Sequence, residues 1–150
     1  MIAKDYIYRI LESYLKENQM FLVDVKISAN NDIRIEADKI EGKITIDDCA
    51  KLSRFIESHL DRETEDFSLE VSSPGMLEPF KVEQQYLKNK GNEVEVVLTD
   101  GITYKGKMLD FKENEMELLT EKKIDKKNKE QVTLKIPLEN IKKTKRIVKF

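Results

Sequence analysis

Two clusters of cations stand near the end of the chain: Lys122, Lys123, Lys126, Lys127 and Lys129, then Lys142, Lys143, Lys145 and Arg146. Residues 121–150 carry 11 basic side chains against 4 acidic ones, a net of +7. Lysines and arginines at this density can neutralise several phosphates and release their counterions. Binding of that kind depends steeply on salt and carries little sequence information. The chemistry implied is attachment to a polyanion, with these cations as the candidate contact set. A lysine-rich surface can also serve solubility alone, as a mobile loop and a solvated tail, and the count does not separate the two.

Covalent chemistry finds less support. Ser72, Ser73, His59 and several aspartates are the parts of a hydrolase triad, but no GxSxG elbow accompanies them. His59 precedes Leu60 near the end of an amphipathic segment, where an imidazole beside the negative end of a helix dipole is commonplace. Cys49, the lone cysteine, excludes an intramolecular disulfide and argues against zinc. It falls on an apolar face, where cysteine serves as a small hydrophobe. The expectation is a non-enzymatic protein with no catalytic residue, no metal and no cofactor.

The charge is unevenly spread. Residues 1–80 hold 10 Lys+Arg against 17 Asp+Glu, and residues 81–150 hold 17 against 12. A formal net charge of −2 therefore conceals an acidic half and a basic half. Such asymmetry favours a polyanionic partner for the basic half. The longest apolar run, Met20-Phe21-Leu22-Val23, is far too short for a membrane span. Residues 1–20 lack the features of a secretion signal or transit peptide. A soluble cytoplasmic protein is expected, with no membrane partner.

The first half reads as α-β-β-α-β. Ala3, Ile7, Ile10, Leu11 and Tyr14 mark an amphipathic helix over 2–16. Phe21, Val23, Val25 and Ile27 alternate with polar or outward residues, Asn30-Asn31-Asp32 supplies a turn, and Ile33, Ile35 and Ala37 face inward on the return strand. Thr45 and Asp48 form a capping box before a second helix whose apolar face is Cys49, Leu52, Ile56 and Leu60. Phe67, Leu69 and Val71 make a third strand. Some KH domains share this order, but they clamp RNA with a GXXG loop, and Gly42 is the only glycine in residues 1–74.

The third strand runs into Ser72, Ser73, Pro74 and Gly75, with Pro79 beyond. Proline restricts φ, and Gly75 is expected at positive φ in a sharp reversal. This motif predicts an interdomain linker closing an N-terminal α/β domain over 1–80, with a C-terminal domain over 81–150. In the latter, Val82, Tyr86 and Leu87 fit a helical turn ending at Gly91. Val94, Val96 and Leu98 lead to the hairpin signal Asp100-Gly101, and Ile102, Tyr104, Gly106, Met108 and Asp110 return. Gly106 implies a bend. Glu113-Asn114 makes another turn before Met116 and Leu118; Val132, Leu134 and Ile136 form a strand ended by Pro137, and Ile141, Ile147 and Phe150 lie in the last segment. The polar run 121–130 is expected to be an exposed hairpin loop. Together these predict an α+β two-domain protein ending in a small SH3-like or Sm-like β-barrel.

A proline-peptide groove needs an aromatic-lined channel, and residues 81–150 offer only Tyr86, Tyr104, Phe111 and Phe150. The run from Gly91 through Val94, Val96, Leu98, Asp100-Gly101, Tyr104, Gly106, Phe111, Met116 and Leu118 is similar to the first motif of Sm proteins. The Asn that holds uridine in that family is Glu117 here. An Sm-like RNA-binding regulator working as a hexameric or heptameric ring is the alternative to a monomer.

Taken together, the chain resembles the bacterial ribosome maturation factor RimP family. The resemblance lies in Ile46-Asp47-Asp48-Cys49-Ala50-Lys51-Leu52-Ser53-Arg54, Leu60-Asp61, and Leu69-Glu70-Val71-Ser72-Ser73-Pro74-Gly75 with Pro79. Gly91, Gly106 and Ile136-Pro137-Leu138-Glu139-Asn140-Ile141 extend it through the second half. Leu77-Glu78-Pro79 stands where the family usually has Asp-Arg-Pro, so contacts of that arginine do not carry over to Glu78. The resemblance implies an assembly factor that binds the immature small (30S) ribosomal subunit. It also implies help for a decoding-site ribosomal protein, engaged by the barrel domain, in joining rRNA. The charge division adds an expectation of its own: a basic half that approaches rRNA and an acidic half that attracts basic ribosomal proteins.

Overall fold

The computed structural model describes residues 2–148, and the chain divides into two compact units between Pro74 and Gly75. The sequence pattern places the boundary six residues later. Residues 75–80 go with the second unit, where the Phe80 N–H donates to the Thr144 carbonyl at 2.7 Å and the Phe80 ring meets Tyr86 edge-on.

The first unit follows the expected order: α1 (Lys4–Glu17), β1 (Met20–Ile27), β2 (Asp32–Lys39), α2 (Ile46–Glu57) and β3 (Ser68–Ser72). β1 and β2 pair antiparallel, and β3 adds to β2 in parallel, with Ile33 opposite Leu69 and Ile35 opposite Val71. Helices of this length are marginal alone, so what holds them is the apolar stripe they bury. Ile7, Leu11 and Leu15 of α1 and Leu52 and Ile56 of α2 meet Val25, Ile33, Ile35 and Ala37 in one core. Each of the Val, Leu and Ile side chains contributes roughly 1.5–3 kcal/mol when fully buried. Ile2 and Leu15 join that core, while Ala3, expected within it, is exposed.

The strand β1 departs from simple alternation. Leu22 lies opposite Ala37 and Asp24 opposite Glu36, so Val23 is an extra residue in a bulge. The bulge switches the parity of the strand. Leu22, Val25 and Ile27 pack on the core, whereas Phe21 and Val23 are buried outside that cluster.

α2 opens with the capping box foreseen from Thr45 and Asp48. The Asp48 N–H donates to Thr45 Oγ1 at 3.0 Å and the Thr45 N–H to Asp48 Oδ2 at 2.9 Å. Hydrogen bonds from Thr45, then the Lys39 ammonium 3.3 Å away, hold the Asp48 carboxyl below its ordinary 3.8.

The second unit comprises α3 (Glu83–Lys88), β4 (Glu93–Leu98), β5 (Thr103–Lys112), β6 (Glu115–Lys123), β7 (Lys129–Pro137), a 3-10 turn (Leu138–Asn140) and β8 (Ile141–Arg146). The strands form an antiparallel sheet in the order β7-β6-β5-β4-β8. Its inner face carries Val94, Val96, Met108, Met116 and Leu118, packed on Tyr86, Phe111 and Ile136. Glu113 and Asn114 both take positive φ in the β5–β6 turn. A bulge between Met108 and Asp110 again switches parity. Phe111 therefore reaches the core, and Asp110, expected to continue the inner row, lies outside it, 2.9 Å from Lys90 Nζ. Ile147 donates its N–H to the Glu93 carbonyl, and Phe150 lies outside the described residues.

Gly106 is where β5 takes on a second partner. Among the strand pairings, Thr103, Tyr104 and Lys105 face β4 alone, Gly106 and Lys107 face both β4 and β6, and the strand then continues along β6. A Cβ at Gly106 would stand 2.2 Å from the Leu119 carbonyl oxygen, so the strands approach this closely only without a side chain.

Gly106→Ala must push β6 away and should destabilise the second unit by about 1–3 kcal/mol in denaturant unfolding. For Asp48, the depressed folded pKa means its contribution is present above its unfolded value and lost as pH falls through the folded one. The stability gap between the wild type and Asp48→Asn, read by thermal unfolding, should therefore narrow below about pH 4.

Candidate nucleic-acid interface

The ladder between β6 and β7 runs past the rest of the sheet. β5 contributes its last pairing to β6 at Thr120, yet Glu121 pairs with Gln131, Lys122 with Glu130 and Lys123 with Lys129. These residues form a two-stranded arm closed by residues 124–128, and every residue from 121 to 131 is exposed. The sequence led to an exposed loop over this whole run. Its polarity excludes a core but not a backbone ladder, which needs only N–H and C=O groups.

The tip of the arm is ordered by Asp125. Its Oδ1 accepts from the N–H groups of Lys127 and Asn128, each at 2.8 Å, and its Oδ2 from Asn128 Nδ2 at 3.0 Å. Those bonds, the Lys127 N–H foremost, hold the carboxyl below its ordinary 3.8. Lys126 and Lys127 are thus displayed on a defined turn. Lys129 reaches Glu121 at 3.7 Å, and Lys122 faces Glu130 across the ladder. Among the described residues Lys122, Lys123, Lys126 and Lys127 make no ion pair. Lys123 lies directly opposite Lys129, a like-charge pair that costs stability.

The second cluster sits on β8. Thr144, in the middle of the run, is fully buried and accepts from the Tyr86 hydroxyl at 3.1 Å. Lys143 and Lys145 consequently lie on the outer face, opposite Val97 and Glu95, and a register shift leaves Lys142 without a partner in the ladder. Arg146 is exposed opposite Val94. Lys145 and Lys105 flank Glu95 at 3.8 and 3.9 Å. Lys145 and Arg146 line a groove of about 920 Å³ with Lys105, Lys107, Glu95 and Glu121. Five of the nine cations thus stand on the arm and four on β8, of which Lys145 and Arg146 line the groove. Lys105 and Lys107 were not singled out from sequence, although their alternation with Tyr104, Gly106 and Met108 marks them as outward-facing.

Ser72 ends β3, Ser73 and Pro74 close the first unit and Gly75 opens the second. Gly75 is not at positive φ, contrary to expectation; positive values occur at Gly42, Gly91 and Gly101. Its missing side chain instead admits Glu78, whose Cγ would stand 2.6 Å from a Cβ there, while the Glu78 N–H donates to the Gly75 carbonyl. Pro79 is half-buried.

His59 addresses neither Ser72 nor Ser73. Its Nδ1 lies 3.1 Å from Ser58 Oγ and 3.0 Å from the Phe55 carbonyl, and its ring packs on Phe55. Burial pushes the half-buried Cys49 thiol up, away from the reactive thiolate. Among the described residues no cluster of three or more His, Cys, Asp or Glu could hold a metal, and no helix is long and apolar enough to cross a membrane.

Residues 10–77 match the model of the RimP N-terminal domain. A ribosome maturation factor RimP from Porphyromonas gingivalis is 41% identical over 109 residues, covering 73% of this chain and 71% of that protein. The chain belongs to the RimP family of ribosome maturation factors. Its namesake from Christiangramia forsetii is 38% identical over 118 residues, covering 78% of this chain and 76% of the relative. That from Flavobacterium psychrophilum is 39% identical over 97 residues, 64% of this chain and 62% of the relative. For this family member, an arm strained by its own charge has a measurable signature. Lys123→Glu places opposite charges across the ladder and should stabilise the arm by about 0.2–1 kcal/mol, read as slower amide exchange over residues 121–131.

Proposed function

We propose that the protein is a non-enzymatic assembly factor that binds the immature small (30S) ribosomal subunit, with the arm and groove of its second unit set against rRNA. The observation that carries this reading is the exposed arm, whose lysines stand largely free of internal ion pairs in a chain of the RimP family. The bent five-stranded sheet of that unit is read as an SH3-like barrel. The first unit presents Asp24, Glu36 and Glu70 on the sheet face opposite its helices, among Lys26 and Arg34. Its acidic balance repels phosphate and suits basic ribosomal proteins, while the second unit approaches rRNA and, as the family resemblance implies, engages the decoding-site ribosomal protein. The protein acts in the cytoplasm as a monomer. Elution as a hexamer or heptamer would favour the Sm-like ring reading instead.

Co-sedimentation with free small subunits, mature subunits and whole ribosomes across a salt series tests the proposal. Selective pelleting with free small subunits is expected. Reversing the charge of Lys126, Lys127 and Lys129 together should weaken that binding and reduce the slope of log affinity against log salt by about 1 for each phosphate no longer neutralised. Unchanged binding by this variant would remove the arm from the interface.

A further inference from the structure

The way the arm distributes its charge bears on which form of RNA it takes, and this deepens the rRNA reading on which it rests. Lys123 and Lys129 occupy one face of the ribbon and Lys122 the other, because side chains alternate along each strand. Lys126 and Lys127 stand at the tip. Residues 122–129 hold five lysines and one acid, Asp125, whose carboxylate is occupied in ordering the turn. A single strand offers one line of phosphates and would engage one face of such a ribbon. Two faces and a tip match two phosphate lines bordering a groove.

Base-stacking platforms point the same way. Proteins that hold single strands without sequence preference stack bases on exposed aromatic rings. Among the described residues of the second unit the aromatics are Phe80, Tyr86, Tyr104 and Phe111; Tyr86 and Phe111 are buried in its core, and Phe80 and Tyr104 pack against it half-buried. Tyr86 stacks on Phe111 with ring centres 4.6 Å apart. Tyr104, half-buried, also lines the groove, but the arm itself carries no ring. Ile124, 62% exposed at the tip, is the one large apolar side chain on the arm and offers contact without stacking. The like-charge pair Lys123 and Lys129 is relieved when a phosphate sits beside it.

We infer that the arm is a docking element for double-helical RNA, recognised through its backbone and shape across a groove rather than through unpaired bases. The wide, shallow minor groove of A-form RNA presents phosphates and 2′-hydroxyls that such a ribbon can approach.

The test uses the full chain and an RNA duplex of about 20 base pairs, longer than the roughly 16 pairs that duplex-binding domains span. Fluorescence anisotropy across a salt series compares the duplex with each of its strands and with oligouridine. The duplex is expected to bind at least about tenfold more tightly than any single strand. Lys122→Gln on one face and Lys123→Gln on the other should each weaken duplex binding and lower the salt slope by about 1, while the Arg variants retain it. Because these side chains are exposed, circular dichroism should stay as in the wild type, and thermal unfolding should change by no more than the small cross-strand charge effect. Equal or tighter binding to single strands overturns the inference, as does duplex affinity unchanged in both Gln variants. Sedimentation is read in parallel. Pelleting with small subunits without duplex preference overturns this inference alone, and duplex preference without pelleting overturns the assembly reading alone.

Discussion

A buried hydrogen bond between two hydroxyls holds the cationic end of this protein to its core. β8 has four cations among its six residues and almost nothing to drive its burial. Its position depends on the ladder with β4 and on Thr144, whose Oγ1 accepts from Tyr86 inside the apolar cluster. Burial raises the Tyr86 phenol above its ordinary 10.0, so it remains a donor at any physiological pH. Tyr86 is itself fixed by the face of Phe111 and the edge of Phe80. Leaving one of these hydroxyls buried without its partner would cost about 1–3 kcal/mol, which makes the contact directional as well as adhesive. Once Thr144 points inward, the pleat sends Lys143 and Lys145 outward.

The same two-sided logic governs the rest of the sheet. Apolar residues at alternate positions commit one face to the core, and the charged residues between them form the other. Gly106 adds what alternation alone cannot. By letting β5 press against the Leu119 carbonyl, it allows the strand to pair with β4 and β6 together, and beyond Thr120 the ladder of β6 continues with β7. The arm follows from that continuation. Its residues stay extended through backbone bonds and the Asp125 turn, with no hydrophobic contribution. A projecting element of this kind can meet a polyanion without exposing the core.

The first unit shows how far an order of elements falls short of a function. α-β-β-α-β is shared with RNA-binding KH domains, yet the loop between β2 and α2 has a single glycine and the outer sheet face is rich in carboxylates. Similarity to the RimP N-terminal domain over residues 10–77 rests on this unit, whereas the surplus of cations belongs to the other. Opposite charges on separate compact units allow one chain to meet two chemically different partners without the sites cancelling one another.

What the sequence determined by itself was local. The Thr45–Asp48 box, the Glu113-Asn114 turn, the order of helices and strands and the RimP resemblance all depend on residues a few positions apart or on motif order, and all could be read before any coordinates. The two bulges could not, because Val23 and Leu109 look like ordinary members of alternating strands until a partner strand skips them. Nor could the groove: Lys105 and Lys107 are separated by some forty residues from Lys145 and Arg146, and only the β4–β5 and β4–β8 pairings bring them together. The division of the cations between a projecting ribbon and strand β8 was likewise decided by tertiary structure. Periodicity and turn chemistry are stored in neighbouring residues, while register and strand adjacency come from contacts between distant ones, which a linear pattern does not contain.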